Sequence, residues 1–183
     1  MQIVIKKATI KGNLFLSYSF DQIDSDVKNR INTSSDAPIH DDLKNVFRKL
    51  IPHFAYMSEE IKDEKLIEKA IKNPDAFLFN RDEAKEETFF KFKCHQFEIN
   101  EKDGYEKIII SGAKQLETLN EIYFSVPPVG LGDDAYQYHQ DLQKVVEELK
   151  NEVAAYMQGK TAPKAQTDLF DDDFGDDTNT EEI

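Results

Sequence analysis

The chain is poor in residues that do chemistry. It has one cysteine, Cys94, and no tryptophan in 183 residues. A lone cysteine excludes an internal disulfide, and its place in a strand-like run marks it as a small apolar filler rather than a reactive thiol. The four histidines, His40, His53, His95 and His139, are scattered, whereas zinc sites cluster their ligands. His95 and Cys94 are strand neighbours and point to opposite faces. His53, beside an apolar stripe, reads as a hydrogen-bonded core histidine. No GxSxG, GxxxxGK(S/T) or HExxH pattern occurs, so the signatures of common hydrolases, phosphate-binding loops and zinc proteases are missing. Acidic pairs such as Glu59-Glu60 and Glu147-Glu148 lie in helical patterns and read as solvated faces. No apolar run approaches the ~20 residues of a membrane span. The N-terminal Met1-Gln2-Ile3-Val4-Ile5-Lys6-Lys7 lacks the apolar core and cleavage site of a signal peptide. These absences predict a cytoplasmic, non-enzymatic protein with no cofactor, no metal and no membrane partner.

Charge of one sign is abundant. The net charge is −13, and eight of the 36 acids lie after Gln166 with no lysine or arginine among them. The remaining 28 acids face 23 bases, which puts the body near −5. Such a body has no general affinity for nucleic acid, which comes from neutralising phosphates, although a local basic face is compatible with it.

The most structured stretch is Thr88 to Val126. Phe89 to Ile99, Tyr105 to Ser111 and Ile122 to Val126 read as strands rich in aromatic and β-branched residues, the first two joined by a turn ending in Asp103-Gly104. Gln2–Ile10 and Leu14–Phe20 read as a hairpin around Lys11-Gly12-Asn13, and Asp21 to Pro38 as a polar loop. Asp41-Asp42 begins a helix carrying Leu43, Val46, Phe47, Leu50, Phe54 and Met57, kinked or split at Pro52. Ile61 to Ile71 forms a shorter helix ending at Asn73-Pro74. Phe77 and Phe79, in the connector that follows, dock back on the core. Asp133-Asp134 caps a last helix that ends at Gly159. The order ββααβββα predicts an α+β domain over residues 1–159, with five mostly antiparallel strands and three helices, in a sheet able to curl into an OB-like barrel. Residues 160–183 form an acidic tail with too little apolar content to fold alone, and are expected to be disordered.

Lys91 and Lys93 alternate with Phe89, His95, Phe97 and Ile99, and Lys6 and Lys107 fall on neighbouring strands. Lysines among aromatics suit single-stranded nucleic acid, with ammonium groups on phosphates and rings on bases. Lys91, Lys93, Phe89, Phe97 and Lys107 are therefore the candidate DNA contacts. The competing interpretation is a half-buried sheet whose lysines snorkel at its edge.

Within the tail, Gln166-Thr167-Asp168-Leu169-Phe170 resembles the short peptide by which bacterial DNA-processing proteins dock on the replicative sliding clamp. Gln166, Asp168, Leu169 and Phe170 match that pattern, and Thr167 stands where leucine is usual. The Asp171–Asp177 run, continuing to Glu181-Glu182-Ile183, resembles the acidic tails of bacterial and phage single-stranded-DNA-binding proteins, with Phe174 inside the run and Ile183 in place of a terminal phenylalanine. The resemblance covers the tail alone. It implies DNA replication or recombination in a bacterium or phage, with Gln166, Asp168, Leu169, Phe170, Phe174 and Ile183 recruiting a clamp or another replication protein. Two readings of the whole chain stand. In one, the body binds single-stranded DNA and the tail recruits a partner. In the other, the body is an adaptor or DNA mimic that occupies a host DNA-processing protein without binding DNA. Acids gathered on one face of the body would favour the second, and lysines around aromatics the first. A pocket pairing a histidine with a carboxylate would point to an enzyme instead. The oligomeric state is not legible in the sequence.

Overall fold

In the computed structural model, which describes residues 1–25, 27–102, 104–132 and 134–163, β1 (Gln2–Lys11) and β2 (Phe15–Asp24) pair antiparallel. Gly12 and Asn13 both adopt φ of +58°, and the Leu14 amide donates to the Lys11 carbonyl at 3.1 Å. Two left-handed residues in succession match the right-handed twist of the strands they join. β2 hands on to β3 (Val27–Ser34). α1 (Asp41–Lys49), α2 (Ile51–Met57) and α3 (Glu64–Lys72) follow. A π-helical turn at Asp75–Phe79 and a 3₁₀ turn at Thr88–Lys91 lead into β4 (Phe92–Lys102), β5 (Tyr105–Gln115), β6 (Glu121–Ser125) and the short β7 (Val129–Gly130). α4 (His139–Met157) comes last. The fold is α+β, with one antiparallel sheet in the order β3-β2-β1-β4-β5-β6 and β7 on β5.

Four expectations need correction. Among the described residues there are seven strands rather than five, because the expected loop at 21–38 contains the end of β2 and all of β3. β3 escapes a reading based on apolar alternation because it is an edge strand whose sequence, VKNRINTS, sets only Ile31 and Thr33 against the core-side partners Phe20 and Tyr18. The sheet is open, with β3 and β6 as its two ends, and so is not an OB-like barrel. The described residues form four α-helices rather than three, since Pro52 lies in the first turn of α2 and divides the expected helix in two. α4 begins at His139 rather than at Asp134, because Tyr136 is drawn into the core and holds the preceding segment off the helical path. The acids at the start of α1 sit in its first turn, while His40 caps it by accepting the Asp42 amide at 3.2 Å.

The helices cover one face of the sheet. Phe47 of α1 meets Phe97 of β4, and Phe54 of α2 packs against Phe92 of β4 and Phe124 of β6. α4 lays Leu142, Val146, Leu149 and Val153, all buried, against α1 and β1. Phe77 is buried and Phe79 half-buried, both packed on this core. Where Phe54 crosses β5, Gly112 leaves no room for a side chain. A Cβ there would lie 2.2 Å from the Lys93 carbonyl and 2.9 Å from the Phe54 ring.

Two bulges fix what the other face presents. The β1–β2 register slips between Ile5 and Lys7, and the β4–β5 register between Cys94 and Gln96. A bulge inserts one residue and inverts the alternation beyond it. Ile5 and Ala8, three apart, both reach the core, and so do Cys94 and Phe97.

Candidate nucleic-acid interface

The face away from the helices is flat and polar. In register across it run Ser34 (β3), Ser17 (β2), Thr9 (β1), Gln96 (β4), Ser111 (β5) and Ser125 (β6). Ser17 and Ser34 share a hydrogen bond of 2.6 Å, Thr9 donates to Gln96 Oε1 at 2.9 Å, and Ser111 and Ser125 share one of 2.7 Å. Gln96 Nε2 approaches Ser111 Oγ at 3.5 Å. Small polar side chains keep the middle of the sheet low and leave hydroxyl and amide groups available to a ligand lying across the strands.

Among the described side chains, alternation puts six cations on this face, Lys7, Lys11, Lys28, Arg30, Lys93 and Lys107, against three carboxylates, Asp21, Glu98 and Glu121. Lys7 pairs with Glu98 at 3.2 Å, and Lys93 pairs with Glu121. Asp21, whose side chain is fully buried, accepts from Arg30 at 2.9 Å and lies 3.1 Å from Lys28. The hydrogen bond from Arg30, followed by that from Lys28, holds the Asp21 carboxyl below its ordinary value. Lys11 and Lys107 have no ion-pair partner among the described residues. The aromatics of this face are Tyr105 and Tyr123, 72% and 69% exposed, the half-buried Phe15, and His95. The His95 ring stands edge-on to Tyr123 at 5.9 Å, and partial burial lowers its pKa, which favours the neutral ring. Two other acids, Glu101 of β4 and Glu106 of β5, are turned toward the helices. Glu101 and Glu106 lie 3.7 Å from the buried Lys6, and Glu106 lies 3.6 Å from Lys150 of α4.

The sequence-predicted set does not assemble as a unit. Lys93 and Lys107 are exposed on the open face. Phe89 and Phe97 are core residues, 1% and 0% exposed, and cannot stack on a base. Lys91 precedes the strand, in the 3₁₀ turn, and pairs with Glu117 at 3.1 Å. Lys6 faces the helix side. Phe89 and Lys91 are displaced by the 3₁₀ turn that stands where a strand was expected, and Phe97 by the bulge at His95. Without the bulge at His95, Lys93 and Phe97 would share a face, and with it they face opposite ways. The sequence reading missed Tyr105, Tyr123 and the hydroxyl row. Tyr123 alternates with the half-buried Phe124, which was a usable signal, whereas isolated serines in strands carry none. The tail positions Gln166, Asp168, Leu169, Phe170, Phe174 and Ile183 lie outside the described residues.

Elsewhere, Cys94 is buried, and burial pushes its thiol well up. His53 is fully buried, with Nδ1 2.8 Å from the Tyr136 hydroxyl. His139 lies 3.2 Å from Asp134. Clefts of about 640 Å³ beside Arg81 and Leu119, and about 530 Å³ beside α3, contain no histidine. Among the described residues no group of three or more His, Cys, Asp or Glu side chains is placed to hold a metal ion, and no helix is long and apolar enough to cross a membrane. No protein family, no curated protein and no solved structure matches this chain.

Proposed function

We propose that the protein is a non-enzymatic single-stranded-DNA-binding protein of replication or recombination, whose body binds DNA on the open sheet face and whose tail recruits a protein partner. The supporting observation is the excess of cations over carboxylates on that face, in a chain of net charge −13. Lys7, Lys11, Lys93 and Lys107 contact phosphates, Tyr105 and Tyr123 stack on bases, and the row from Ser34 to Ser125 offers hydrogen bonds to sugar and phosphate oxygens. Gln166, Asp168, Leu169 and Phe170, with Phe174 and Ile183 beyond them, supply the peptide that a sliding clamp or another replication protein would capture in an apolar pocket.

Binding by mimicry of DNA has less support. Acids of the helical layer are interleaved with lysines, as in Asp41–Lys44, Asp141–Lys144 and Glu147–Lys150, so that layer does not offer the one-signed row of charges a phosphate backbone presents. The test is anisotropy of a labelled oligothymidine titrated with the full chain. Four phosphate contacts give a log–log salt slope of about −2.8, or a loss of roughly fiftyfold between ~50 and ~200 mM salt. Lys93→Glu with Lys107→Glu flattens that slope. Absence of binding at low salt refutes the proposal.

A further inference from the structure

A second cation-rich site lies at one end of the sheet. The β1–β2 turn, α1 and the start of β4 meet around a cavity of about 390 Å³. Lys44 and Arg48 of α1 and Lys93 of β4 line it, and no carboxylate does. Lys44 and Arg48 are four residues apart and share a helix face. The buried Phe47, Leu78 and Phe92 form the apolar floor, with the half-buried Phe90 at the side. Each cation has a local partner. Lys44 donates to Asp41 at 2.9 Å, Arg48 to the Asn45 side chain at 2.9 Å, and Lys93 to Glu121. Exposed pairs of this kind are weak and exchange readily, and Asn45 leaves the Arg48 charge uncompensated. The complementary ligand has large apolar side chains flanked by carboxylates.

This chain contains such a segment, and its path leads to the cleft. The Ala162 amide donates to the Pro38 carbonyl at 2.9 Å, Thr161 bridges to Ile39, and the Ile39 amide donates to the Leu14 carbonyl at 2.8 Å. Asn13, next to Leu14, lines the cleft. Thr161 is thus about two strand spacings, roughly 10 Å, from the β1–β2 turn. The residues from Lys164 to Phe170 reach up to ~25 Å when extended.

We propose that Asp168-Leu169-Phe170-Asp171-Asp172-Asp173 docks in this cleft of its own chain, with Leu169 and Phe170 over Phe90 and Phe92 and the flanking carboxylates on Lys44 and Arg48. Docking covers the side chains that a protein partner would take, so self-docking and partner capture exclude each other. The proposal does not depend on DNA binding by the body, and its test uses no DNA. A short tether supplies an effective concentration of ~1 mM, so a peptide affinity of ~0.5 mM leaves about two-thirds of the tails docked and slows tail amide exchange about threefold.

The experiment is amide hydrogen exchange over the tail, together with methyl NMR of Ile10, Ile51 and Leu78 of the cleft, all on the full chain. The expected result is protection of residues 168–173 that disappears in Leu169→Ala/Phe170→Ala, with methyl shifts confined to the cleft. Arg48→Glu and raised salt also abolish the protection. The Leu169/Phe170 variant changes nothing in the described body, so it remains informative if Arg48→Glu fails to fold. Tail exchange at the unprotected rate overturns the proposal. So does protection that rises with protein concentration, which indicates a second copy, and so do shifts centred on Ile109 of the open face.

Discussion

His53 gives the fold a stability that depends on pH in a calculable way. It follows Pro52 in α2, is fully buried, and meets the Tyr136 hydroxyl through Nδ1, while Nε2 has no hydrogen-bonding partner among the described residues. The charged and titratable groups around it are Tyr136, Tyr56 and Asp141, and Asp141 favours the imidazolium only weakly against burial. Burial pulls the ring down from 6.5 to about 4. The unfolded chain therefore binds the proton more readily than the native one, and stability is full above pH 6.5 and falls as the pH drops toward 4. Integrating between those two values gives a loss of about 2 kcal/mol from pH 7.5 to pH 5. With a urea m-value of about 2 kcal/mol/M, the midpoint falls by about 1 M. The paired substitutions His53→Phe and Tyr136→Phe remove both polar groups, so the variant's midpoint should lose most of that dependence. The difference between the two curves isolates His53 from His95, whose pKa is also lowered by burial. Parallel urea curves for the two proteins at pH 7.5 and pH 5 would refute the reasoning, as would an imidazolium signal for His53 in the native protein at pH 5.

Gly112→Ala forces a Cβ against the Lys93 carbonyl and the Phe54 ring, at a cost of about 1–3 kcal/mol in urea unfolding. A change below ~0.5 kcal/mol would place it among ordinary surface substitutions. Tyr123→Ala leaves the melting temperature nearly unchanged and weakens oligothymidine binding by about 1–3 kcal/mol. Phe97→Ala does the reverse, costing about 3–5 kcal/mol of stability, so a binding loss in a fully folded Phe97→Ala protein would contradict the assignment of faces. Asp21→Asn removes a carboxylate held below its ordinary value by Arg30 and Lys28. Its stabilising effect is present above pH 3.8 and is lost as the pH falls further, so wild type and variant should converge in acid unfolding only below that pH.

The parts of the fold that follow one local rule were legible in the sequence. Gly12-Asn13 specified the first hairpin, Pro52 the division between α1 and α2, Gly159 the end of α4, and the burial of Cys94 followed from its place in β4. β3 was not legible because an edge strand needs few apolar residues, and only Ile31 and Thr33 stand opposite the core-side Phe20 and Tyr18. The start of α4 was lost because burial of Tyr136 overrode the capping preference of the acids before it. Of the candidate contacts, Lys93 and Lys107 fall on the open face and Phe89 and Phe97 in the core. A bulge is one inserted residue with no composition of its own, and it reverses every face assignment beyond it.

The same two bulges explain how an acidic chain carries a basic face. In β1 the slip at Lys6 keeps Ile5, Ala8 and Ile10 on the helix side and leaves Lys7 and Thr9 outside. An unbroken alternation that buried Ile5 would send Ala8 and Ile10 into solvent and Lys7 into the core. The displaced Lys6 stays under the sheet, where it draws in Glu101 and Glu106, the acids of the β4–β5 hairpin. In β4 the slip at His95 turns Phe97 and Ile99 inward and brings Gln96 into line with Thr9 and Ser111. The positive bias of the open face is thus produced by packing, with the apolar residues selecting the register and the register sorting the charges. Glu101→Gln tests this ordering, because it removes a carboxylate from the helix side. It should alter stability through Lys6 and leave the salt slope of oligothymidine binding unchanged, whereas Glu98→Gln, on the open face, should tighten binding. Equal effects of the two substitutions on that binding would mean that net charge, rather than the sorted face, governs it.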